Sequence, residues 1–414
     1  MPLLGSPSTI QLPGGFSPAQ IVPNVYTYCA TDLITGQVLA DSVPLTVQSF
    51  SRQINAAGEL TGSLSLQDDL AINQPYVEAL EATRCMLWVL QNGFPVWAGI
   101  VWDWPHSTII PPATLPIQAS SLESLFDHRL VTDTIDYQAV DIFTVFADMV
   151  RYGVSKNSPY IVTGSPAANR LPTLATNAMR VAALTLPDPS VTAGVPWTAT
   201  YLYSDYRKVS DVWTDLLDAA NMEYTFEPGF DSSGNFAVTV RLGYTQLGRP
   251  AEQSGLVFTF PGNVVDYGYP RTGSQSANAI WATAPPNGSL AAWQGVYPHG
   301  FDLTQLQAGY PLLEDTVSWN SSTATSQGQV NQYADSQVQL RTQQMTLPQL
   351  IIGGAGQPSL QEVILGDAAW FSATSGLHPP QGTGPGLVTQ VRIAGWTLTP
   401  PAPGQAEELT ISAS

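Results

Sequence analysis

Three pairs of adjacent side chains are of the types that hydrolases use. A carboxylate beside an imidazole could activate a nucleophile, and two neighbouring carboxylates could cleave a glycosidic bond as general acid and base. These pairs are Asp127-His128, Asp68-Asp69 and Glu314-Asp315. Neighbours on a strand or turn point apart, no G-x-S-x-G motif accompanies the first pair, and adjacent acids commonly lie in solvated turns. The sequence therefore predicts no catalytic residue and no enzyme.

Metal and cofactor sites are equally poorly supported. No H-E-x-x-H motif or other ligand spacing relates the four histidines, which are His106, His128, His299 and His378. Cys29 and Cys85 lie in strand-like runs, which is typical of small buried side chains. The glycine-rich stretch Ile351 to Pro358 has Gln-Pro where a phosphate-binding helix would begin, which favours a plain turn. We expect neither metal nor cofactor.

The net charge of the chain limits the classes of partner that it is expected to bind. The 414 residues contain 32 Asp and Glu against 14 Lys and Arg, a net charge of −18, and only 11% of residues are charged. Such a balance disfavours binding to a nucleic-acid backbone, because that affinity comes from basic side chains that displace counterions. It leaves open the passage of DNA through a repulsive channel. Low charge density with 34 Gly and 34 Pro is typical of a β-rich subunit of a large assembly.

The elements that would position any site are mainly strands, as residues 85 to 104 illustrate ("CMLWVLQNGFPVWAGIVWDW"). Asn92-Gly93 predicts a two-residue hairpin turn, which excludes a single membrane-spanning helix. Residues of the second strand alternate between two faces. One face contains Val96, Ala98, Ile100, Trp102 and Trp104, and the other contains Trp97, Gly99, Val101 and Asp103. Both faces are apolar. This favours a strand covered on both sides, with Gly99 at a close approach of backbone or ring, over an aromatic carbohydrate-binding face or a subunit interface.

The rest of the chain predicts a mainly β fold with an α+β middle region. Five or six short strands at hairpin spacing within residues 24–134 indicate a small barrel or sandwich. Helical spacing then predicts helices at 138–153, ending at Gly153, and near 208–220 with Ser210 as N-cap, and strands at 223–227 and 235–242. Residues 157–196 between the two helices have no clear period and predict a long loop.

The last third returns to strands, with a further helix predicted at about 326–341. Here Gly366-Asp367 is a candidate turn into a strand, and Arg392 a candidate partner for an acid across a barrel. The N-terminal residues 1–23 lack a basic region followed by an apolar run, so they predict a flexible arm and no signal peptide.

Three groups of segments in one order resemble the minor tail proteins at the tail tip of long-tailed actinobacterial phages. The first is "SFSRQINAAGELTGSLSL" with "LWVLQNGFPVWAGIVW", and the second is "VSDVWTDLLDAANMEYTF". The third is "ANAIWATA", "LGDAAWFS" and "VRIAGWTLTP". The resemblance runs from about residue 24 to the C-terminus.

The resemblance implies a tail-tip hub similar to the baseplate hubs of contractile tails. Such hubs are homotrimers with two tube-like β-barrels per chain, here 24–134 and 255–414, on either side of a mixed α+β domain at 135–254. Three chains would then present six barrels to the sixfold tail tube. Implied partners are the tail tube, distal tail and tip or fibre proteins and the tape measure protein, with DNA only in transit through an acidic bore. The chain would be made in the host cytoplasm and reside in the virion.

Two other classes remain open at this point. The 11 Trp and 16 Tyr suit a carbohydrate-binding module for the host cell wall, and a tail component that cleaves peptidoglycan is the enzymatic alternative. Binding to isolated cell wall would identify the first, and zymography the second.

Overall fold

The computed structural model describes residues 24–66, 70–105, 114–163, 177–268, 271–272, 276–283, 299–318, 327–342, 345–346, 349–353, 358–402 and 406–413. The predicted N-terminal arm, residues 1–23, lies outside the described residues, as do residues 164–176 of the predicted loop. None of the helices in the described part is long and apolar enough to span a bilayer.

The first third of the chain forms strands, as its hairpin spacing predicted. The elements are β1 (Tyr26–Asp32), β2 (Val38–Ala40), β3 (Leu45–Gln53), β4 (Glu59–Ser65), α1 (Leu70–Ala79), β5 (Cys85–Gln91), β6 (Phe94–Asp103), β7 (Thr114–Ser121) and a 3-10 helix (Leu122–His128). The strand order β3-β4-β7-β6-β5-β1 curls round until the N–H of Val43, just before β3, donates to the carbonyl of Tyr28 in β1 at 2.7 Å.

The middle region mixes helices with two small sheets. It contains β8 (Thr134–Asp141), α2 (Ile142–Ser155), β9 (Ile161–Thr163), β10 (Leu184–Thr185), β11 (Pro196–Tyr201), a second 3-10 helix (Tyr203–Asp205), α3 (Val209–Ala220), β12 (Met222–Phe230), β13 (Phe236–Tyr244) and α4 (Ala251–Ser254). The sheets have the orders β11-β8-β9 and β10-β13-β12. This arrangement, with the strands on either side of it, confirms the predicted mainly β fold class with a mixed middle region.

The last third contains β14 (Val257–Phe260), β15 (Val264–Gly268), β16 (Arg271–Thr272), β17 (Ala279–Thr283), β18 (His299–Phe301), α5 (Leu303–Gln307), β19 (Glu314–Ser318), α6 (Gln327–Thr342), β20 (Met345–Thr346), β21 (Gln349–Gly353), β22 (Ala368–Ala373), β23 (Leu387–Thr399) and β24 (Glu408–Ala413). The predicted helix at about 326–341 corresponds to α6. It packs against α3, and its buried side chains, with those of the sheet β18-β17-β19, join the hydrophobic core of the middle region. Packing therefore assigns the described residues between 276 and 342 to the middle region, whereas the sequence placed them in the second barrel.

Six strands at each end of the chain follow one pairing scheme. We call β1, β3, β4, β5, β6 and β7 the first module, and β14, β15, β21, β22, β23 and β24 the second module. Numbered in chain order within each module, strand 1 pairs with 4, 2 with 3, 3 with 6, 4 with 5, and 5 with 6. The modules differ in one respect, since strands 1 and 4 are antiparallel in the first and parallel in the second.

The two modules belong to one 13-stranded sheet, joined where β3 pairs with β23. The first half of the long strand β23 pairs with β22, and its second half pairs with β24 on one edge and β3 on the other. Phe50 of β3 and Trp396 of β23 meet edge to face across this seam, with ring centroids 5.6 Å apart. A single hydrophobic core contains both side chains and extends through both modules.

Strand β6 separates the two hydrophobic cores, which explains why both of its faces are apolar. Ala98 and Ile100 enter the core of the middle region, and Trp97 and Val101 enter the core of the modules. Trp102 packs against the first of these cores with Ala98 and Ile100, as predicted, but Val96 and Trp104 lie on the side of the modules. The ladders skip Val96 and Trp102 in β-bulges. A bulge inserts one residue and shifts the residues beyond it to the opposite face.

Two helix ends differ from the sequence prediction. Helix α2 passes through Gly153 and ends at Lys156, whose backbone is left-handed with φ 54°. Gly153 is instead a packing position, since a Cβ there would lie 2.7 Å from the ring of Phe126. Helix α3 begins after Lys208, whose backbone N–H donates to the Asp211 carboxylate at 3.1 Å, and the predicted N-cap Ser210 lies inside the helix. The side chain three positions into the helix supplies the cap.

Gly99 lies in β6 where a Cβ would be 2.4 Å from the carbonyl oxygen of Ser120 and from the ring of Trp97. We expect Gly99→Ala to lower the free energy of unfolding by about 1 to 3 kcal/mol, because the backbone of β7 would have to move. Gly229→Ala in β12 is the matched control, since nothing lies within 4 Å of its added methyl group. Urea denaturation checks both variants. Equal midpoints for Gly99→Ala and Gly229→Ala would contradict the close approach.

Candidate assembly site

Three of the residues selected from the sequence, Gly366, Asp367 and Arg392, lie together where the second module meets the middle region. Gly366 has φ 91° and faces Gly248, whose φ is 97°. A Cβ on Gly248 would lie 2.1 Å from the carbonyl carbon of Gly366, and one on Gly366 would lie 2.4 Å from the carbonyl oxygen of Leu247. Two glycines are therefore required for the segments to touch.

Asp367 follows this contact and directly precedes β22. Its fully buried carboxylate accepts three hydrogen bonds from Arg249, from the backbone N at 2.7 Å, from Nε at 2.9 Å and from Nη2 at 2.6 Å. A buried carboxylate is stable only when it is paired and hydrogen-bonded. The turn that the sequence indicated thus also fixes the segment that enters the second module from the middle region.

Arg392 of β23 forms a two-pronged ion pair with Glu223 of β12. Nη1 donates to Oε1 at 3.0 Å and Nη2 donates to Oε2, while the backbone carbonyls of Gly366 and Leu247 each accept from the guanidinium at 3.1 Å. The sequence expectation of an acid across the barrel is corrected, because Glu223 belongs to the middle region. Val391 and Ile393 face the core of the modules, so the residue between them points outward to β12.

The first module contacts the same strand β12 through a second group of polar side chains, in which Glu123 is buried and Arg52 and Asn55 are partly buried. Arg52 of β3 donates to the carbonyl of Phe226 at 3.1 Å, and the Glu123 carboxylate accepts from the Phe226 N–H at 3.3 Å. The Asn55 side chain accepts from the Tyr224 N–H at 2.8 Å. Burial lowers the pKa of the Arg52 guanidinium and raises the pKa of the Glu123 carboxyl. Strand β12 is thus held by Arg392 of one module and Arg52 of the other.

The sequence did not single out Glu223, Arg249, Arg52 or Glu123. One signal was available, since a chain with only 14 Lys and Arg is expected to keep few of them in strands without a structural reason. Their partners lie 103 to 174 positions away in the chain, so no local pattern could have paired them.

The other selected residues, Gly99, Trp102 and Trp104, lie in or just beyond β6, apart from this site. Trp102 donates from Nε1 to the Ser124 hydroxyl at 2.8 Å and its ring lies 4.6 Å from the ring of His128. Trp104 packs against the core of the modules and donates from Nε1 to the carbonyl of Leu80 at 3.1 Å. Both indoles are partly exposed.

The residues considered for chemistry are dispersed. Asp315 pairs with Arg341, Glu314 accepts from the Trp281 indole at 3.1 Å, and His378 Nδ1 lies 2.9 Å from the Tyr267 hydroxyl. His106 and Asp68-Asp69 lie outside the described residues. Within the described ranges, no group of three or more His, Cys, Asp or Glu side chains could hold a metal ion. The described residues that line a hollow of about 570 Å³ beside α2 include one cation and no carboxylate; they are Ile34, Thr35, Val154, Ser155, Asn177 and Arg180.

The fold occurs in solved structures of phage tail proteins. The 43 kDa tail protein of prophage MuSo2 from Shewanella oneidensis superposes with a TM-score of 0.56 at 13% identity, over 94% of this chain and 98% of that one. Prophage tail protein gp18 from Listeria monocytogenes superposes with a TM-score of 0.50 at 11% identity, over 93% and 94% of the two chains. No known protein family matches the sequence, and no curated protein does.

At these identities the likeness establishes a shared fold. It spans both modules and the middle region, since each alignment covers more than nine tenths of both chains. The sequence resemblance had pointed to tail proteins, and the two structures named above, which share this fold, are of tail proteins.

Removing Arg392 should separate β12 from the second module. We expect Arg392→Ala to lower the free energy of unfolding by about 3 kcal/mol, because the largely buried Glu223 carboxylate would lose its cation and keep only the Leu247 N–H, and two carbonyls would lose the guanidinium. Arg241→Ala is the control, since its ion pair with Glu227 is about one third exposed and is expected to contribute about 1 kcal/mol or less. Chemical denaturation measures both. Similar losses in the two variants would contradict the role of Arg392.

Glu123 should make stability depend on pH. Its folded pKa lies above the ordinary value of 4.5, so the folded chain binds more protons than the unfolded chain between those two values. The contribution of Glu123 to the free energy of unfolding is fully present below pH 4.5 and is lost as the pH rises through the raised pKa of the folded state. We expect Glu123→Gln to remove this decline in unfolding free energy, and Glu81→Gln at an exposed position to retain it. Denaturation midpoints over the pH series provide the test, and an unchanged decline in Glu123→Gln would refute it.

Proposed function

We propose that this chain is a structural virion protein, a trimeric hub at the tip of a phage tail that joins the sixfold tail tube to a threefold tip. The observation that carries the proposal is the repeated strand scheme. One polypeptide contains two six-stranded modules with the same pairing order, joined in a single sheet. Three such chains supply six similar modules, which is the number that a sixfold tube requires.

The likeness to the two prophage tail proteins supports this assignment, because it extends over nearly the whole of each chain. The ordered segments that resemble minor tail proteins extend the proposal to long-tailed actinobacterial phages. The proposed partners are two further copies of the chain, the tail tube, the distal tail and tip or fibre proteins and the tape measure protein. The proposed location is the virion tail, after synthesis in the host cytoplasm.

The chemistry of the described side chains suits a passive role. The ionic groups at the junction bind to one another, in the largely buried Arg392–Glu223 pair and in the pair of Arg249 with the buried Asp367. We accordingly propose that the protein acts without catalysis. Incubation with purified peptidoglycan followed by zymography should give no cleared band, and a cleared band that survives purification to homogeneity would favour the alternative of a cell-wall hydrolase.

The proposed stoichiometry and location are measurable. Light scattering on the purified chain should give three times the chain mass of 44.3 kDa. Antibody raised against the chain should label one end of the tail in electron micrographs of intact virions, with virions incubated without antibody as control. Label along the whole tail or on the head would contradict a hub, whatever mass the isolated chain shows.

A further inference from the structure

The two modules correspond in details beyond strand order. In each, the ladder between strands 2 and 3 contains a bulge, at Gln48 in β3 and at Val265 in β15. In each, the ladder between strands 5 and 6 contains another, at Trp102 in β6 and at Ala394 in β23. A one-residue bulge is a specific device that sets the twist and register of a strand. Its recurrence allows the modules to be aligned residue by residue at these two places.

The approach to strand 4 repeats as well. Two residues before β5, Thr83 has φ 67° and donates its N–H to the carbonyl of Val101 at 2.7 Å. Two residues before β22, Gly366 has φ 91° and donates its N–H to the carbonyl of Ile393 at 2.8 Å. Val101 and Ile393 each directly precede the bulge of strand 5. Trp104 and Trp396, each two residues past that bulge, are therefore equivalent.

The same alignment makes Phe50 and Tyr267 equivalent, since each lies two residues past the bulge of strand 2. Each also packs edge to face on an aromatic residue of strand 1, Phe50 on Tyr26 at 6.1 Å and Tyr267 on Phe260 at 5.0 Å. We call the pairing of β3 with β23 the internal seam. It places Phe50, the aromatic residue of strand 2 in the first module, against Trp396, the tryptophan of strand 5 in the second module.

The opposite pair of equivalent residues makes no ring contact with each other within the described part of the chain. It consists of the strand 2 aromatic of the second module, Tyr267, and the strand 5 tryptophan of the first, Trp104. Phe50 and Trp396 are buried, with 0% and 2% of their surface exposed, whereas Tyr267 and Trp104 are both partly exposed. Strand β15 is also the last strand of the large sheet and pairs only with β21 among the described residues. These features are expected of an interface for which the chain itself provides no second surface.

We propose that a neighbouring copy of the chain completes this seam: the free edge of β15 in one copy lies beside the end of β6 in the next, and Tyr267 packs against Trp104. The contact is head to tail, because it uses two different surfaces of each copy. Such contacts form closed rings when the rotation between copies closes. The ring then alternates first and second modules through two similar seams, one within a chain and one between chains.

The exposed edge is protected while it is unpaired. The Tyr267 N–H bonds to the Asp266 carboxylate beside it at 2.8 Å, which occupies a donor that an incoming strand would otherwise find free. An acidic residue at this position limits unspecific strand pairing, as edge charges do in other sheets. The seam adds a specific interface between copies to the proposed function. It rests on that function only in requiring that the chain forms an oligomer.

Cysteine cross-linking tests the seam. In the internal seam Ser51 lies opposite Thr397, and the alignment places Gly268 opposite Pro105 of the next copy. Opposed residues in a ladder have Cα atoms about 4.5 to 5.5 Å apart, which suits a disulfide. Gly268→Cys mixed with Pro105→Cys and oxidised mildly should yield covalent dimers of one copy of each variant. Different affinity tags on the two variants identify these mixed dimers.

The controls separate the seam from random oxidation and from failure to assemble. Ser51→Cys with Thr397→Cys in one chain should form an intrachain disulfide and thus validate the chemistry. Gly268→Cys mixed with Val38→Cys, at the exposed edge strand β2, should give at least tenfold fewer mixed dimers. Light scattering is run on the same samples. A trimer without the Gly268–Pro105 cross-link would overturn the seam and leave the hub intact, and a monomer would overturn both.

Discussion

The pairing of β3 with β23 is the constraint on which the rest of the architecture depends. It joins residues 342 to 348 positions apart, from Gly395 with Gln53 to Leu398 with Phe50, so both ends of the chain must be in place before the sheet is complete. Closing so long a loop is entropically unfavourable, and the buried aromatic pair and the core shared by both modules compensate for that cost. The middle region fits the same geometry, because Arg52, which lies opposite Trp396 in the seam, and Arg392, four residues before Trp396 on β23, both reach β12.

Cations are scarce in this chain, and three of them hold the junction. Arg52, Arg249 and Arg392 each bind a buried or largely buried acceptor, and two form ion pairs with carboxylates that are at most 17% exposed. Ion pairs in such surroundings contribute little net stability compared with apolar packing, but loss of one partner is costly, so they favour one arrangement of the modules and β12 over others. The paired glycines Gly248 and Gly366 act in the same direction, since only their backbone contact lets Arg249 reach Asp367.

Local features of the fold were predictable from the sequence, and distant pairings were not. Asn92-Gly93 specified its hairpin because few residues adopt its positive φ values, and the apolar stripes of α2 and α3 specified two helices. The ends of both helices were misplaced, because a tertiary contact of Gly153 with Phe126 and a cap from Asp211 outweighed the usual end signals. Within the site, Gly366, Asp367 and Arg392 could be selected as unusual residues near strands. Their partners Gly248, Arg249 and Glu223 lie 118 to 169 positions away in the chain, and periodicity does not reveal pairings at that distance.

The distribution of charge connects the fold to the proposed function. Residues 129–208, in the middle region, contain seven Lys and Arg and six Asp, whereas the other residues contain seven Lys and Arg against 26 Asp and Glu. The acidic surplus therefore lies outside this part of the middle region, on segments that include every strand of both modules. If the modules line a channel, a surplus of this sign repels DNA phosphates and limits adhesion of the genome during passage. The arginines at the junction are engaged by acceptors within the chain, so they do not offset the acidic surplus that the proposed role in DNA passage uses.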